Sequence, residues 1–471
     1  PEADRVARAI AACDFTVVSD VTAATDTAQL AHVLLPATAW GEKDGTVTNS
    51  ERMISRQRAF QPAPGKARAD WWQLAQVAQR MGFSGFDWQS PAQIFREHAA
   101  LSGIAGALGS DFDISLKAAV SDIDYATMTP FTWPQSARKQ GGRFFATGQF
   151  HTADGRARMI PIATTAPQTH AFRLNTGRIR DQWHSMTRTG LSPRLSAHLA
   201  EPFLEIHPQD AATLGLTPAS LARVSSPHGT AILRVLVTDK VLPGHPFAPI
   251  HWTNQTAPTG RVDALVTALT DPISGQPASK STPVTITPFP AAWYGFAIAS
   301  ADFTPATAYW AKATLALGHQ AELAGDTTPD DWARFAASLF NLPPADISLS
   351  DPKRGLYRCA FLDQGRLRAA LFIAPTPVAL SRSHITGLLT QPAGHATLAG
   401  HPGADQPDPG PTICACFSVG ANTIARAIAD QGHVSLAAIG QALRAGTNCG
   451  SCRPDIAALI ARHAPLQEAA E

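Results

Sequence analysis

Four of the six cysteines in this 471-residue chain lie close together near its end, as Cys414-Ala-Cys416 and Cys449-Gly-Ser-Cys452. Two close pairs of thiolates can hold a tetrahedral metal ion or a [2Fe–2S] cluster, in which each iron takes two sulfurs. Zinc is the plainer occupant, although Cys-x-Cys is tighter than the usual spacing of structural zinc ligands. A disulfide framework would be spread along an exported chain, whereas these cysteines are clustered. Between the pairs the sequence reads as helical. Ile424, Ala427 and Ile428 line one face up to Gly432, Leu436, Ile439 and Leu443 line another up to Gly446, and Pro454 opens a third helix. Helix ends direct N–H groups at nearby ligands, which suits an anionic cluster. Two helices joined by a glycine turn could also read DNA. Residues 417–448, however, carry only Arg426 and Arg444 besides His433, too little positive charge for a phosphate grip. Cys13 and Cys359 sit in apolar surroundings and read as inert buried thiols.

A second concentration of donors is Thr176-Gly-Arg-Ile-Arg-Asp-Gln-Trp-His-Ser185, followed by Met186-Thr187-Arg188. Gly177 allows close backbone approach and Arg178 offers a planar fork, so the segment suits a phosphate-rich ligand. A solvated polar loop would look the same. Lys43 and Asp70 alone could be surface charges, Asp20 could cap the next helix, and His184 could be an ordinary loop histidine.

The elements that must position these residues follow from periodicity. Residues 1 to about 82 alternate helix and strand. Phe15–Asp20 and His32–Leu35 read as strands, Thr25–Ala31 as a helical turn or two, and Asp70 as the cap of a helix carrying Trp71, Leu74, Ala78 and Met81 at helical spacing. This pattern favours a parallel sheet. Ser90 and Pro91 start a further helix, and 161–171 reads as a connector. Residues 172–289 are mainly β: strand Leu204–Ile206, a short helix from His207 to Leu214 closed by Gly215, and a hairpin around Pro227-His228-Gly229 predict a small barrel. Residues 291–400 read as α+β, with helix Asp331–Phe340 and a hairpin across Asp363-Gln364-Gly365. The proline-rich stretch 401–412 reads as a plain linker.

Composition narrows the class. The length allows about three domains at roughly 150 residues each. The formal net charge is +1, so no basic field concentrates nucleic acid or an anionic membrane. Charged residues make up 16%, below the roughly 25% usual for soluble domains, which implies surface buried between domains or around a large ligand. No apolar run reaches the roughly 18 residues of a membrane span. No secretory signal is visible, and the start at Pro1 inside an α/β pattern reads as the C-terminal part of something longer.

With these residues in view, a resemblance becomes specific. Cys414-Ala-Cys416 with Ala445-Gly-Thr-Asn-Cys449-Gly-Ser-Cys452-Arg-Pro454 resembles the [2Fe–2S] domain of the bacterioferritin-associated ferredoxin type, a module also found in nitrite reductases and at the end of assimilatory nitrate reductases. Residues 176–188 are similar to the opening of the molybdopterin-dinucleotide-binding domain of molybdenum oxidoreductases. This implies cofactor contacts by Thr176, Gly177, Arg178, Trp183, His184 and Ser185. Val18-Ser19-Asp20 resembles that family's cofactor-contact turn at a strand end, where open α/β sheets bind ligands. Leu35-Pro-Ala-Thr-Ala-Trp-Gly-Glu-Lys-Asp-Gly45 resembles the stretch whose lysine, here Lys43, contacts the dinucleotide; Asp70 matches an aspartate with the same task. Asp271-Pro-Ile-Ser274 with Pro277-Ala-Ser-Lys280 carries Lys280 over. The family usually has Asn where Asp263 stands, so a carboxylate replaces an amide donor. Ile250 followed by His251-Trp252 replaces a phenylalanine of the family.

Together these resemble the C-terminal portion of bacterial assimilatory nitrate reductase catalytic subunits, within the molybdopterin oxidoreductase family. The resemblance implies an α/β and β multidomain chain. Residues 1–160 would be part of the α/β molybdopterin oxidoreductase core, and 171–289 a double-psi-like β-barrel binding the dinucleotide. Residues 291–400 would be a small α+β domain without assigned role, 401–412 the linker, and 413–465 a small helical [2Fe–2S] domain. It implies Mo-bis(molybdopterin guanine dinucleotide) and a [2Fe–2S] cluster on Cys414, Cys416, Cys449 and Cys452. A [4Fe–4S] cluster, the molybdenum ligand and the nitrate site are expected upstream, so no catalytic residue is expected here. The implied activity is cytoplasmic reduction of nitrate to nitrite, with electrons from an NAD(P)H-dependent flavoprotein, ferredoxin or flavodoxin, and with no nucleic-acid or membrane partner. Another molybdenum or tungsten bis-pterin enzyme, such as a formate dehydrogenase, is the alternative, as is a non-catalytic electron-transfer fragment.

Overall fold

The computed structural model describes residues 1–161, 172–403 and 406–464. The connector expected at 161–171 lies outside the described residues from 162 on. Two compact units emerge: Ala12–Pro167, and Pro1–Ala11 together with Gln168–Glu471. The helix Ala3–Ala11 groups with the second unit. The Glu2 N–H donates to the Val266 carbonyl at 2.8 Å, and Asp4 pairs with Arg261.

In the unit Ala12–Pro167, strands Val17–Asp20 and Val33–Pro36 pair in parallel, with Ser19 opposite Leu35. The β-branched valines favour extended backbone, and the parallel pairing agrees with the expected α/β pattern. The helical turns expected at 25–31 shrink to the 3-10 turn Ala28–Leu30. An antiparallel hairpin follows, Gly45–Thr48 with Met53–Gln57, joined by Phe131–Thr132. Helix Pro91–Ala107 begins after Ser90 as expected and buries Phe95 and Ala99 against Ile54, Ile114 and Tyr125.

Helix Asp70–Arg80 departs from its sequence reading. Ala69 is its cap and Asp70 its first residue, because the Asp70 carboxylate is taken by other side chains, described below. Of the apolar residues at helical spacing, Leu74 and Met81 are exposed and Trp71 and Ala78 half-buried. Its buried residues are Gln73 and Ala75, and Gln73 Nε2 donates to the carbonyls of Pro36 (3.0 Å) and Arg68 (3.1 Å). Cys13, expected buried, is exposed; Cys359 is buried.

In the second unit, six strands close a barrel in the order Phe247–Pro249, Phe172–Gly177, Thr282–Pro288, Leu221–Ser226, Gly229–Val237, Phe203–Ile206. Alternation puts Ala231, Leu233 and Val235 inside with Leu174, Leu204 and Ile286. Helix Pro208–Leu214 is capped by His207, whose Nδ1 accepts the Gln209 N–H at 3.2 Å, and closed by Gly215 at φ 67°.

Residues 293–374 form a six-stranded antiparallel sheet with Trp293–Ala299 near its centre. Every residue of that strand is buried because both faces are covered. Trp293 and Ala297 face helix Trp332–Phe340, while Phe296 and Ile298 share a core with Leu221, Trp252 and Met186 of the barrel. The expected hairpin turns through Gln364 and Gly365, both at positive φ, as the favoured two-residue turn requires.

The segment read as a plain linker is tethered where described. The Asp408 carboxylate accepts from Ser381 Oγ at 2.8 Å, and the Pro409 carbonyl accepts the Asn422 N–H at 3.0 Å. Beyond it, helices Ala421–Ala429, Leu436–Leu443 and Arg453–His463 bury Ile424, Ile428, Ile439 and Ile456. Among the described residues no helix is long and apolar enough to cross a membrane.

Candidate functional site

The cysteines come together as the sequence spacing requires, in two sulfur pairs that each join one Cys-x-Cys member to one Cys-x-x-Cys member. Cys416 Sγ and Cys449 Sγ stand 3.6 Å apart, and Cys414 contacts Cys452. A tetrahedral metal with bonds of roughly 2.3 Å would set neighbouring sulfurs about 3.8 Å apart, a spacing that the Cys416–Cys449 pair fits. Among the described residues no three His, Cys, Asp or Glu side chains form a single metal-binding group. Each of the two sulfur pairs could serve one iron of a binuclear cluster. Cys414 and Cys452 are buried at the cluster domain's core, Cys416 is half-buried and Cys449 exposed. The Ser451 hydroxyl and N–H, with Cys416, hold the Cys449 thiol below its ordinary pKa. Burial and Cys414 push Cys452 up to about 11.

The barrel brings the donor-rich segment onto one rim. Thr176, the penultimate residue of strand Phe172–Gly177, donates its hydroxyl to the Ser279 carbonyl at 2.5 Å, and Lys280 Nζ donates to the Thr176 carbonyl. Strand and Lys280 are thereby tied. A Cβ on Gly177 would stand 2.8 Å from the Phe247 ring and 3.8 Å from Lys280 Nζ, so glycine is required for this approach. The Arg178 guanidinium lies 5.1 Å from the centre of the Trp183 ring. Trp183 packs edge-on against His184 at 4.4 Å and is 58% exposed. Ser185 Oγ bonds Thr187 Oγ1 at 2.9 Å. Asp263 is exposed in the turn Val262–Ala264, between buried Val262 and Ala264. Arg178, Lys280, the Trp183 indole and the Ser185 hydroxyl are donors, a set that fits an anionic, hydrogen-bond-rich ligand such as a pyrophosphate.

Sequence reasoning missed the residue that shapes this rim. His251 is fully buried; its Nε2 accepts the Ile179 N–H at 2.9 Å, which fixes Nδ1 as the donor to the His184 carbonyl at 2.6 Å. The loop between is strained, with His184 at φ 40° and Met186 at φ 58°. Such backbone persists only where surroundings over-determine it, here through His251 and the buried Met186 side chain. A polar residue amid the apolar run before Thr253 was the available signal; its partners lie about seventy positions away.

Burial lowers the His251 pKa below its ordinary 6.5, partly offset by the His184 carbonyl. Its contribution to stability is therefore complete above about pH 6.5 and is lost as pH falls through the lowered value. Acidification from pH 7.5 to 5 is expected to loosen the loop, read as a change in Trp fluorescence and a falling Tm. His251→Ala should cost on the order of 2 kcal/mol through two unpaired backbone groups, and its Tm should depend less on pH over that window.

In the unit Ala12–Pro167, Ser19, Lys43 and Asp70 meet. Ser19 Oγ donates to Asp70 Oδ1 at 2.8 Å and Lys43 Nζ to Asp70 Oδ2 at 3.4 Å. The turn Trp40–Glu42, whose Glu42 carboxylate accepts the Ala39 N–H at 2.8 Å, delivers Lys43. The Asp20 side chain is not part of this group. It caps the following turn, accepting from the Val21 N–H (2.7 Å) and the Thr25 hydroxyl (2.8 Å).

Comparison with known proteins defines the class of this chain. Residues 172–283 match the molydopterin dinucleotide binding domain, residues 1–80 match molybdopterin oxidoreductase, and residues 412–462 match the BFD-like [2Fe-2S] binding domain. The chain therefore carries segments that match all three. More particularly, it is homologous to nitrate reductases. It is 41% identical to the nitrate reductase of Klebsiella oxytoca over 98% of its own length and 54% of that protein's. It is 32% identical to that of Shewanella frigidimarina over 97% and 53%. The F420-dependent formate dehydrogenase subunit alpha of Methanocaldococcus jannaschii is 31% identical over 54% of this chain and 36% of that protein. The chain spans about half the length of the nitrate reductases it matches.

Proposed function

We propose that this chain is the part of a nitrate reductase that cradles the pterin dinucleotide and takes in electrons at a two-iron cluster. The observation that supports this reading most is the pairing of four cysteine sulfurs in a chain similar to nitrate reductases over nearly its whole length. The reaction would be nitrate plus two electrons and two protons to nitrite and water.

The molybdenum of a Mo-bis(molybdopterin guanine dinucleotide), when bound, would supply oxygen-atom transfer. Thr176, Gly177, Arg178, Trp183, His184, Ser185 and Lys280 would hold dinucleotide on the barrel rim, with Lys280 and Arg178 neutralising phosphate and Trp183 offering a stacking face. Ser19, Lys43 and Asp70 would contact dinucleotide in the α/β unit. Asp20 would do so only through its backbone, and Asp263 would accept a hydrogen bond where an amide would donate. The barrel is read as double-psi-like on the strength of its two parallel pairs, Phe247–Pro249 with Phe172–Gly177 and Phe203–Ile206 with Gly229–Val237. Cys414, Cys416, Cys449 and Cys452 would hold the [2Fe–2S] cluster, which supplies one-electron transfer.

The [4Fe–4S] cluster, molybdenum ligand and nitrate site would belong to sequence outside this chain. Assimilation in the cytoplasm, with an NAD(P)H-dependent flavoprotein, ferredoxin or flavodoxin as donor, completes the proposal. The full-length gene product is expected to oxidise reduced viologen when nitrate is added and to leave oxidised dye unchanged with formate. Formate-dependent dye reduction without nitrate turnover would replace this reading with a formate dehydrogenase, and loss of neither dye nor substrate would leave electron transfer alone.

A further inference from the structure

One arginine of the barrel loop reaches the cysteine domain. Arg180 lies two residues beyond Arg178, and its Nη2 donates to the carbonyl of Ile413 at 3.0 Å. Ile413 immediately precedes Cys414. The Arg180 charge also reaches Cys449 and Cys452, one sulfur of each pair. The guanidinium is oriented from behind. Its Nε donates to Asp181 Oδ2 at 3.1 Å, and that same oxygen bonds His198 Nδ1 at 2.9 Å. Burial opposes the Asp181 charge, but His198 and Arg180 outweigh it and hold the carboxyl below its usual range. The cluster domain has a second tie to the barrel, Lys240 to Asp455 at 3.7 Å, on helix Arg453–His463. Of the cations within the cluster domain, Arg444 is stacked on the Phe417 ring at 4.3 Å.

We propose that Arg180 is a positioning residue for the two-iron cluster: it docks the cysteine domain on the barrel through the Ile413 carbonyl and, by its fixed positive charge, favours the reduced cluster. The inference rests on the reading of the four cysteines as [2Fe–2S] ligands. Reduction adds one electron to the cluster and breaks no bond, so the added negative charge is stabilised by a nearby cation. A unit charge about 10 Å away at an effective dielectric near 20 alters such an equilibrium on the order of tenfold. For one electron, tenfold is about 59 mV. The same arginine joins the cluster domain to the loop that carries Arg178 and follows strand Phe172–Gly177.

The test is a redox titration of the anaerobically reconstituted 471-residue chain, with dithionite as reductant and the cluster followed by its visible absorbance and its EPR signal. Arg180→Met should lower the midpoint potential by about tenfold in the reduction equilibrium with iron and sulfide content unchanged. Arg180→Lys, which keeps the charge, should stay close to the parent. Asp181→Asn, which removes the counter-charge, should raise the potential. Lys240→Met, which loosens docking without touching a sulfur, should leave it unmoved. An unchanged potential in Arg180→Met, an equal fall in Arg180→Lys, or an equal fall in Lys240→Met would overturn the proposal. A parent chain that takes up neither iron nor sulfide would overturn the cluster reading itself, and the proposal with it.

Discussion

Arg234→Met is expected to lower the unfolding free energy of this chain by about 3–5 kcal/mol, read as a shift of the urea midpoint. The Arg234 guanidinium bonds Glu201 through Nε and Nη2 at 2.9–3.0 Å and lies 3.6 Å from Glu322. Tyr309 donates to Glu201 at 2.7 Å, and Arg382 holds the other side of Glu322. The side chains of Arg234, Glu201 and Glu322 are 11%, 20% and 8% exposed. Burial opposes the charge on Arg234, but Glu201, Tyr309 and Glu322 outweigh it and hold its pKa above the ordinary value. Burial pushes Glu201 up against the pull of Arg234. Two arginines and two glutamates balance, and removing one cation leaves a buried carboxylate uncompensated. Adding Glu201→Gln to Arg234→Met should restore part of the loss, since the orphaned charge goes with it; a double variant no more stable than the single one would show that the packing of Arg234 over the Tyr294 and Tyr309 rings dominates. The quartet joins barrel residues to the six-stranded sheet, which gives residues 291–400 a physical role: they brace the barrel beneath the strained loop at His184.

Cys414→Ser and Cys452→Ser are each expected to reduce bound iron to well under half of the parent content and to abolish the reduced-state EPR signal. Both sulfurs are buried and in contact, so a serine oxygen there offers a harder ligand with a shorter reach. Cys452 also begins helix Arg453–His463, its carbonyl accepting the Ile456 N–H at 3.0 Å, and that backbone bond survives the substitution. Cys359→Ser serves as the control. Burial raises that thiol to about 12 and it lies in the far core of the sheet, so iron content should not change.

What was legible in the sequence was chemistry carried by neighbours in the chain. Cys414-x-Cys416 and Cys449-x-x-Cys452 are recognisable because ligand geometry constrains spacing. The helix from His207 to Gly215 was readable because its cap, proline and left-handed glycine sit within eight positions. Helix Asp70–Arg80 was harder to read because its buried residues are Ala75 and the polar Gln73, which clasps two backbone carbonyls, while Leu74 and Met81 are exposed. The same helix start hides the reason for Asp70, which only the arrival of Ser19 and Lys43 reveals. His251, the Arg234 quartet and the Arg180–Ile413 bond join residues 33 to 233 positions apart, and no periodicity announces such pairings.

The two-iron reading is tested by the composition of the chain after anaerobic reconstitution with iron and sulfide, measured with its EPR spectrum before and after one-electron reduction. About two irons and two acid-labile sulfides per chain are expected, with a single paramagnetic species that appears only on reduction. One tightly held zinc per chain, with no sulfide and no signal, would contradict it.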